Sequence, residues 1–379
     1  MSENRSPSPP PPSPLEARLL DLIAENGPIS VADFMADALI HPQHGYYVTQ
    51  DPFGADGDFT TAPEISQIFG ELVGAWLVQA WQDMGAPSYF QLVELGPGRG
   101  TLMADILRVG KLRPAFLSAA RIFMVEAGGR QRMRQQRKLQ GLHNAIQWVD
   151  ALEDVPLAPT LIVANEFFDC LPVRQFVRIA EKSEKPWRER MVGRTSDGDD
   201  ARLAYCLSAK PLAPLSTMPS GAKPEDIFED CPMAREMIED IAGRFQEHKG
   251  RALIIDYGHG RSAYGDTLQA VRRHDHWHPL SQPGLADITA HVDFGALART
   301  ARHADVRVDG PVQQGDFLER LGLIARLEQL LAAVQDEQSR TQLVAGTGRL
   351  MERDATGMGA LFKVLALSSP DLTEPPGFS

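Results

Sequence analysis

Four short stretches of this 379-residue chain place acids and glycines where they can do chemistry. In "LVELGPGRGTLMADILR", Glu94 stands just ahead of a turn made of Gly96, Pro97, Gly98 and Gly100. A strand, a glycine bend and the open N-terminus of a helix cradle a nucleotide-like ligand, because the first helical turn offers free N–H groups and a positive dipole end. "RIFMVEAG" delivers Glu126, and "AIQWVD" ends on Trp148 and Asp150. "LIVANEFFDCLP" carries Asn165 and Glu166, with Asp169 close behind.

The glycine spacing narrows the ligand. It is G-x-G-x-G, not the G-x-G-x-x-G of dinucleotide sites, and no Walker Lys-Ser/Thr follows. Glu94 would repel a pyrophosphate but suits a ligand with an ammonium group and no phosphate. S-adenosylmethionine, with a sulfonium and an amino group, is such a ligand. Glu126 is then placed to accept both ribose hydroxyls. Trp148 offers a face to adenine and Asp150 an acceptor to its amino group. The bland reading is a tight turn and a solvated Glu126; the order of these residues on successive strands favours the ligand.

The carboxylates of the fourth stretch suit a cationic acceptor. Methyl transfer from a sulfonium is an in-line displacement, so the protein positions the nucleophile and takes charge of its proton. A guanidinium keeps its proton in water, with a pKa above ~12, and carboxylates that grip it localise electron density on one nitrogen. Asn165, Glu166 and Asp169 are therefore the expected catalytic group. Otherwise Asp169 caps a helix at Phe168 and Glu166 pairs with a structural arginine. His291 in "ADITAHVDF" is either a proton relay or a structural residue capping the helix that starts near Phe294. Asp256 and Tyr257 of "IDYGHG" end another strand beside the site. The alternating His274, His276 and His278 read as a hydrogen-bonded loop rather than a metal site, and no metal is expected.

The elements that must hold these residues follow from periodicity. "LEARLLDLIAEN" is helical and stops at Gly27-Pro28; Ser30 caps a second helix, with Asp33 in an acidic variant of the capping box. A loop of about 26 residues follows, longer than the usual ~12–15, which points to function. Within it Asp58, Thr61 and Glu64 are placed to gate a pocket, Thr61 equally to cap a helix, and Tyr46 and Tyr47 to line a channel or fill the core. A helix follows from about Glu64. From Ala86 short apolar strands alternate with helices, predicting an α/β fold with a doubly wound parallel sheet. "RQFVRIA", "WRERMVGRT" and "ARLAYCLS" predict antiparallel strands, and "ALFKVLALS" a closing strand. The divisions are a Pro-rich tail (1–14), an N-terminal helical cover and loop (15–85), a cofactor-binding core (86–180), an antiparallel and helical insertion with returning core strands (181–310) and C-terminal helices with the closing strand (311–379).

A net charge of −12 argues against a general nucleic-acid binder, and no run of ~18 apolar residues suggests a membrane span. Three cysteines without CxxC spacing fit a reducing compartment, and the N-terminus matches neither a secretory signal nor a clear transit peptide; a bacterial cytoplasmic protein is expected.

"HPQHGYYVTQDPFGADGDFTTAPEISQIFGELVGAW", "ANEFFDCLPVRQF", "LIIDYGHG", "DTLQAVRRH", "PGLADITAHVDFGAL" and "MGALFKVLALS" together resemble the MidA family of class I methyltransferases, which includes the mitochondrial complex I assembly methyltransferase. The resemblance covers residues 41 to about 368. It implies a protein arginine methyltransferase that uses S-adenosylmethionine and symmetrically dimethylates an arginine of a complex I core subunit. Gly96–Gly100 falls on the family's cofactor motif and Asn165–Pro172 on its motif after the fourth strand. Ala127-Gly128-Gly129 departs from the usual small residue and proline, and Cys170 replaces a common alanine. A small-molecule methyltransferase and a non-catalytic scaffold are the alternatives, and a homodimer is left open.

Overall fold

The computed structural model describes residues 11–50, 61–179, 183–195 and 200–379. Asp58, with the centre of the 50–64 loop and most of the Pro-rich tail, lies outside the described residues. The chain forms two compact units.

The larger unit joins Phe53–Leu171, Cys231–Ala263 and Ala290–Ser379. Its strands are β1 (Phe90–Leu95), β2 (Ala120–Val125), β3 (Ile146–Val149), β4 (Thr160–Asn165), β5 (Gly250–His259), β6 (Arg307–Gln313) and β7 (Phe362–Ser368). They lie in the order β6-β7-β5-β4-β1-β2-β3, with Val292–Asp293 as a short extra strand beside β5. The run from β5 to β3 is parallel, and β7 is antiparallel to both its neighbours. The doubly wound α/β sheet is thus as expected. Alternation along each strand fills two cores. Leu92, Ile122, Met124, Leu161 and Leu253 face the helices Gln67–Asp83 and Thr101–Gly110; Val93, Phe123, Ile162 and Ile254 face Pro232–Glu247 and Phe294–His303. Each such fully buried side chain contributes about 1.5–3 kcal/mol.

The order of strands places the site. The chain winds outward from β1 through β2 to β3, then returns to β4 on the other side of β1 and proceeds to β5. In an open α/β sheet, the two connections leaving such a reversal part and open a crevice beyond the strands' carboxyl ends. The residues there are the Gly96–Gly100 turn after β1 and Glu166 after β4.

Two local differences from the sequence reading have physical causes. The helix expected from Glu64 is two, Ala62–Ile65 and Gln67–Asp83, because Ser66 at φ −152° leaves the helix and caps the next by accepting from the Ile68 N–H. Strand β6 escapes periodicity analysis: it lies at the edge of the sheet, holds Gly310-Pro311 and has a bulge between Asp309 and Val312.

The smaller unit joins Met1–Pro52, Pro172–Asp230 and Tyr264–Thr289. Arg174–Arg178, Trp187–Arg194 and Leu203–Leu207 pair antiparallel as expected, joined by Ile29–Ser30 and Ile227–Asp230. Phe176, Trp187 and Phe228 form the apolar centre of that sheet. Helix Val31–Ile40 starts at Ser30, whose Oγ accepts from the Asp33 N–H and donates to the Asp33 carboxylate. Tyr46 is fully buried, and Tyr47 donates to Asp287 at 3.0 Å.

Candidate active site

The turn after β1 is built for close approach. Gly96, Gly98 and Gly100 take φ of +60°, +50° and +77°, a region costly for side-chain-bearing residues. A Cβ at Gly96 would come within 2.7 Å of the Phe167 ring, so glycine here lets the two strand-end loops meet. The Pro97 carbonyl accepts from the Gly100 N–H at 2.7 Å. Gly100 then opens helix Thr101–Gly110 with no side-chain cap.

Glu94 faces inward, 3% exposed, and its Oε2 has no hydrogen-bond partner among the described residues. Burial and the Asp105 carboxylate push its pKa to about 8, against an opposing bond from the Met103 N–H. Glu126 is raised by burial, while bonds from the Gly128 N–H at 2.7 Å and the Gln135 amide at 3.0 Å favour its charged form. Trp148 donates its indole N–H to Gln135 Oε1 at 2.8 Å. Asp150 has an exposed side chain paired with Arg132, which also donates to the Glu126 carbonyl. Glu126 and Trp148 therefore share one partner, and Asp150 is steered by a cation that reaches back to Glu126.

That shared partner, Gln135, was missed by the sequence reading, which treated "RQRMRQQRKLQG" as a polar helix. The signal was present: Gln131, Gln135 and Leu139 recur every fourth residue and form the buried face of Gly129–Leu139 among half-buried and exposed basic residues. Uncharged carboxamides on the inward stripe of a cationic helix mark polar work to be done inside.

At the end of β4, Glu166 adopts φ +52° and accepts from the Ala62 N–H and the Asn165 amide, each at 3.1 Å. Burial and the neighbouring Asp169 raise its pKa to about 7. Asp169 is raised to about 6 by burial, opposed by a bond from the Tyr257 side chain. No helix starts at Phe168; residues 167–171 form a turn, so the helix-capping alternative for Asp169 fails. Asp256 of β5 organises that turn: its Oδ2 accepts from the N–H groups of Phe167, Phe168 and Asp169 at 3.1, 2.9 and 3.2 Å, and Oδ1 from that of Tyr257 at 2.9 Å. Burial and the nearby Asp169 and Glu166 carboxylates raise its pKa, opposed by these donors. His291 sits edge-on to Tyr257, ring centroids 5.6 Å apart, its pKa lowered by burial and by His259 and Lys363. The cap of helix Phe294–His303 is Asp293, not His291.

Thr61 precedes Ala62–Ile65 without a side-chain capping bond, and Glu64 accepts from Thr101 and pairs with Arg99 at 3.6 Å. His276 lies in the short strand Asp275–Trp277, whereas His274 occupies a turn at φ +66°, so the three histidines do not share one strand. Among the described residues no group of three or more His, Cys, Asp or Glu side chains is arranged to hold a metal.

The residues fit a cationic, polar nucleoside ligand. Glu94 Oε2, Asn165 Oδ1 and both polar atoms of Gln131 are buried and without a hydrogen-bond partner among the described residues, and they lie at the carboxyl ends of adjacent strands or in the first helical turn after β2. Such atoms cost about 1–3 kcal/mol each unless a ligand or water meets them.

A family model described as an S-adenosyl-L-methionine-dependent methyltransferase matches residues 72–312. The mitochondrial protein arginine methyltransferase NDUFAF7 homolog of Drosophila melanogaster is 39% identical over 381 residues, 93% of this chain and 84% of that protein. The human mitochondrial protein arginine methyltransferase NDUFAF7 is 36% identical, covering 97% of this chain and 86% of its own. A Burkholderia thailandensis protein, described as a methyl transferase and crystallised with S-adenosyl-homocysteine, superposes with a TM-score of 0.79 at 27% identity, over 98% of this chain and 97% of that one. These relatives correct the expected bacterial cytoplasmic location, since the curated ones are mitochondrial. Charge and cysteine usage cannot separate two reducing aqueous compartments, and the absence of a helix long and apolar enough to cross a membrane among the described residues does not either. The resemblance read from the motifs holds across nearly the whole sequence: the chain belongs to the S-adenosyl-L-methionine-dependent methyltransferases and is an enzyme whose cofactor is S-adenosyl-L-methionine.

Proposed function

We propose that this enzyme methylates an arginine side chain of a protein, and that the protein is a subunit of respiratory complex I. The observation that carries the reading is the pair Glu166 and Asp169, a half-buried and a buried carboxylate on one turn at the strand reversal, next to the glycine turn. The curated relatives, named as protein arginine methyltransferases, support it.

In this reading Glu94 meets the amino group of the cofactor's methionine end, Glu126 its ribose and Trp148 its adenine. Asp150 lies at the adenine edge, its carboxylate oriented by Arg132. When bound, S-adenosyl-L-methionine supplies an electrophilic methyl group. Glu166 and Asp169 grip the guanidinium, which draws their raised pKa values down, and orient one nitrogen for in-line attack. As that nitrogen gains the methyl, its proton passes to the Glu166 carboxylate. Asn165 steadies Glu166 through its amide, and Asp256 holds the turn that carries both acids. His291 sits edge-on to Tyr257, whose side chain hydrogen-bonds Asp169, and so helps hold that acid in place.

The test is methyl transfer from radiolabelled S-adenosyl-L-methionine to purified complex I subunits, followed by mass spectrometry of the labelled residue. Label on arginine, abolished by Glu166→Gln, supports the reading and gives the degree of dimethylation and its symmetry. Label confined to lysine or to small molecules overturns it.

A further inference from the structure

We propose that Gln135 is a positioning residue for the cofactor's ribose, acting through Glu126; the inference rests on the proposed placement of the ribose at Glu126. The carboxamide of Gln135 is fully buried and makes three hydrogen bonds to three separate segments. Its Nε2 donates to the Gly98 carbonyl at 2.8 Å and to Glu126 Oε2 at 3.0 Å, and its Oε1 accepts from the Trp148 indole at 2.8 Å. One side chain thereby ties the glycine turn after β1 to the acid after β2 and the aromatic of β3.

The chemistry of the amide explains why it is glutamine. Both anchors on one side are acceptors, a carbonyl and a carboxylate, so they require two N–H donors from one nitrogen; the anchor on the other side is a donor and requires an oxygen. Glutamate lacks the donors and lysine lacks the acceptor. A Cβ at Gly100 would lie in ordinary van der Waals contact with Gln135, 3.6 Å from its Cα and Cγ, so the glycine turn faces this residue at a methyl group's distance. Glu126 Oε1 is occupied by the Gly128 N–H at 2.7 Å and Oε2 by Gln135, which fixes both carboxylate oxygens and hence the plane in which the remaining lone pairs meet two vicinal hydroxyls. Without Gln135 the carboxylate has one anchor and turns about its Cγ–Cδ bond.

The test compares S-adenosyl-homocysteine with its 2′,3′-dideoxy analogue by calorimetric titration into wild type, Glu126→Gln, Gln135→Met and the isosteric Gln135→Glu, each checked for a cooperative thermal transition. The expected result is a loss of roughly tenfold or more for S-adenosyl-homocysteine in Gln135→Met and Gln135→Glu, with the dideoxy analogue changed by less than about threefold. Equal losses for both ligands would show a merely structural role, and no loss for either would also overturn the inference. If Glu126→Gln itself binds S-adenosyl-homocysteine as wild type does, the ribose placement fails instead. In the double variant, Gln135→Met on Glu126→Gln should add less than about threefold, because the residue acts through the acid already altered.

Discussion

Asp256 Oδ2 accepts the backbone N–H of Asp169 at 3.2 Å, although the two carboxylates repel. The contact is tolerable because two further N–H groups, those of Phe167 and Phe168, converge on the same oxygen. Successive backbone donors of one turn clasp an anion, and the clasp sets where the Glu166 and Asp169 side chains project.

Replacing Asp256 by asparagine puts an amide N–H2 against an N–H donor, since both carboxylate oxygens accept from backbone N–H groups, Oδ2 from three and Oδ1 from one among the described residues. Asp256→Asn should lower stability by about 2–4 kcal/mol in urea unfolding. A change below about 0.5 kcal/mol would show that the turn does not depend on this anion.

Glu166→Gln and Asp169→Asn should each reduce kcat by about a hundredfold or more while leaving S-adenosyl-homocysteine affinity within about threefold. Titration calorimetry and radiolabel transfer read the two quantities separately. A parallel loss of cofactor affinity would move these acids to the cofactor side of the site.

The pH profile follows from the same pair. Glu166 titrates near 7 and Asp169 near 6, and gripping a guanidinium requires both ionised. With S-adenosyl-L-methionine saturating, so that Glu94 is already engaged, kcat/KM for the acceptor should therefore rise from pH 5.5 and level off above about pH 7.5. Loss of this rise in Asp169→Asn but not in Glu166→Gln would reverse their roles.

Glu94 makes a distinct stability prediction. Its folded pKa, about 8, lies above its ordinary value of 4.5, so the folded state binds the proton more tightly. The stability so gained is complete below about pH 4.5 and is lost as pH rises through 8. Glu94→Gln should remove this component and stabilise the cofactor-free protein at pH 8.5 by about 1 kcal/mol or more, read by thermal unfolding, while weakening cofactor binding. An unchanged pH slope would mean that Glu94 is not the titrating group.

Gly96→Ala combines an unfavourable backbone with a methyl group 2.7 Å from the Phe167 ring. A loss of about 1–3 kcal/mol is expected, with cofactor affinity falling as the two strand-end loops part. If Phe167→Leu in the same chain restores binding, the steric cause is the correct one.

Much of this was legible in order along the chain. Alternating apolar residues in "QLVEL", "IFMV" and "LIVA" announced parallel strands, and the glycine spacing with Glu94 excluded a pyrophosphate ligand before any fold was known. Those signals are local: a period of two residues and the φ tolerance of glycine act within a few positions. The carboxylates Glu126, Glu166 and Asp169 stand out in the sequence as candidates because strand ends in such sheets face the ligand.

What tertiary structure alone decided is which distant groups share an atom. Gln135 meets Gly98 across 37 positions, and Asp256 meets Asp169 across 87. The four-residue period of Gln131, Gln135 and Leu139 marks an inward face but names no partner, and neither partnership exists until β1, β2, β4 and β5 lie side by side. The sequence thus determined the kind of ligand and the acids available to it. The strand order determined which of those acids are buried together, held by backbone donors and raised in pKa, and this is a matter of desolvation and distance that no linear pattern encodes.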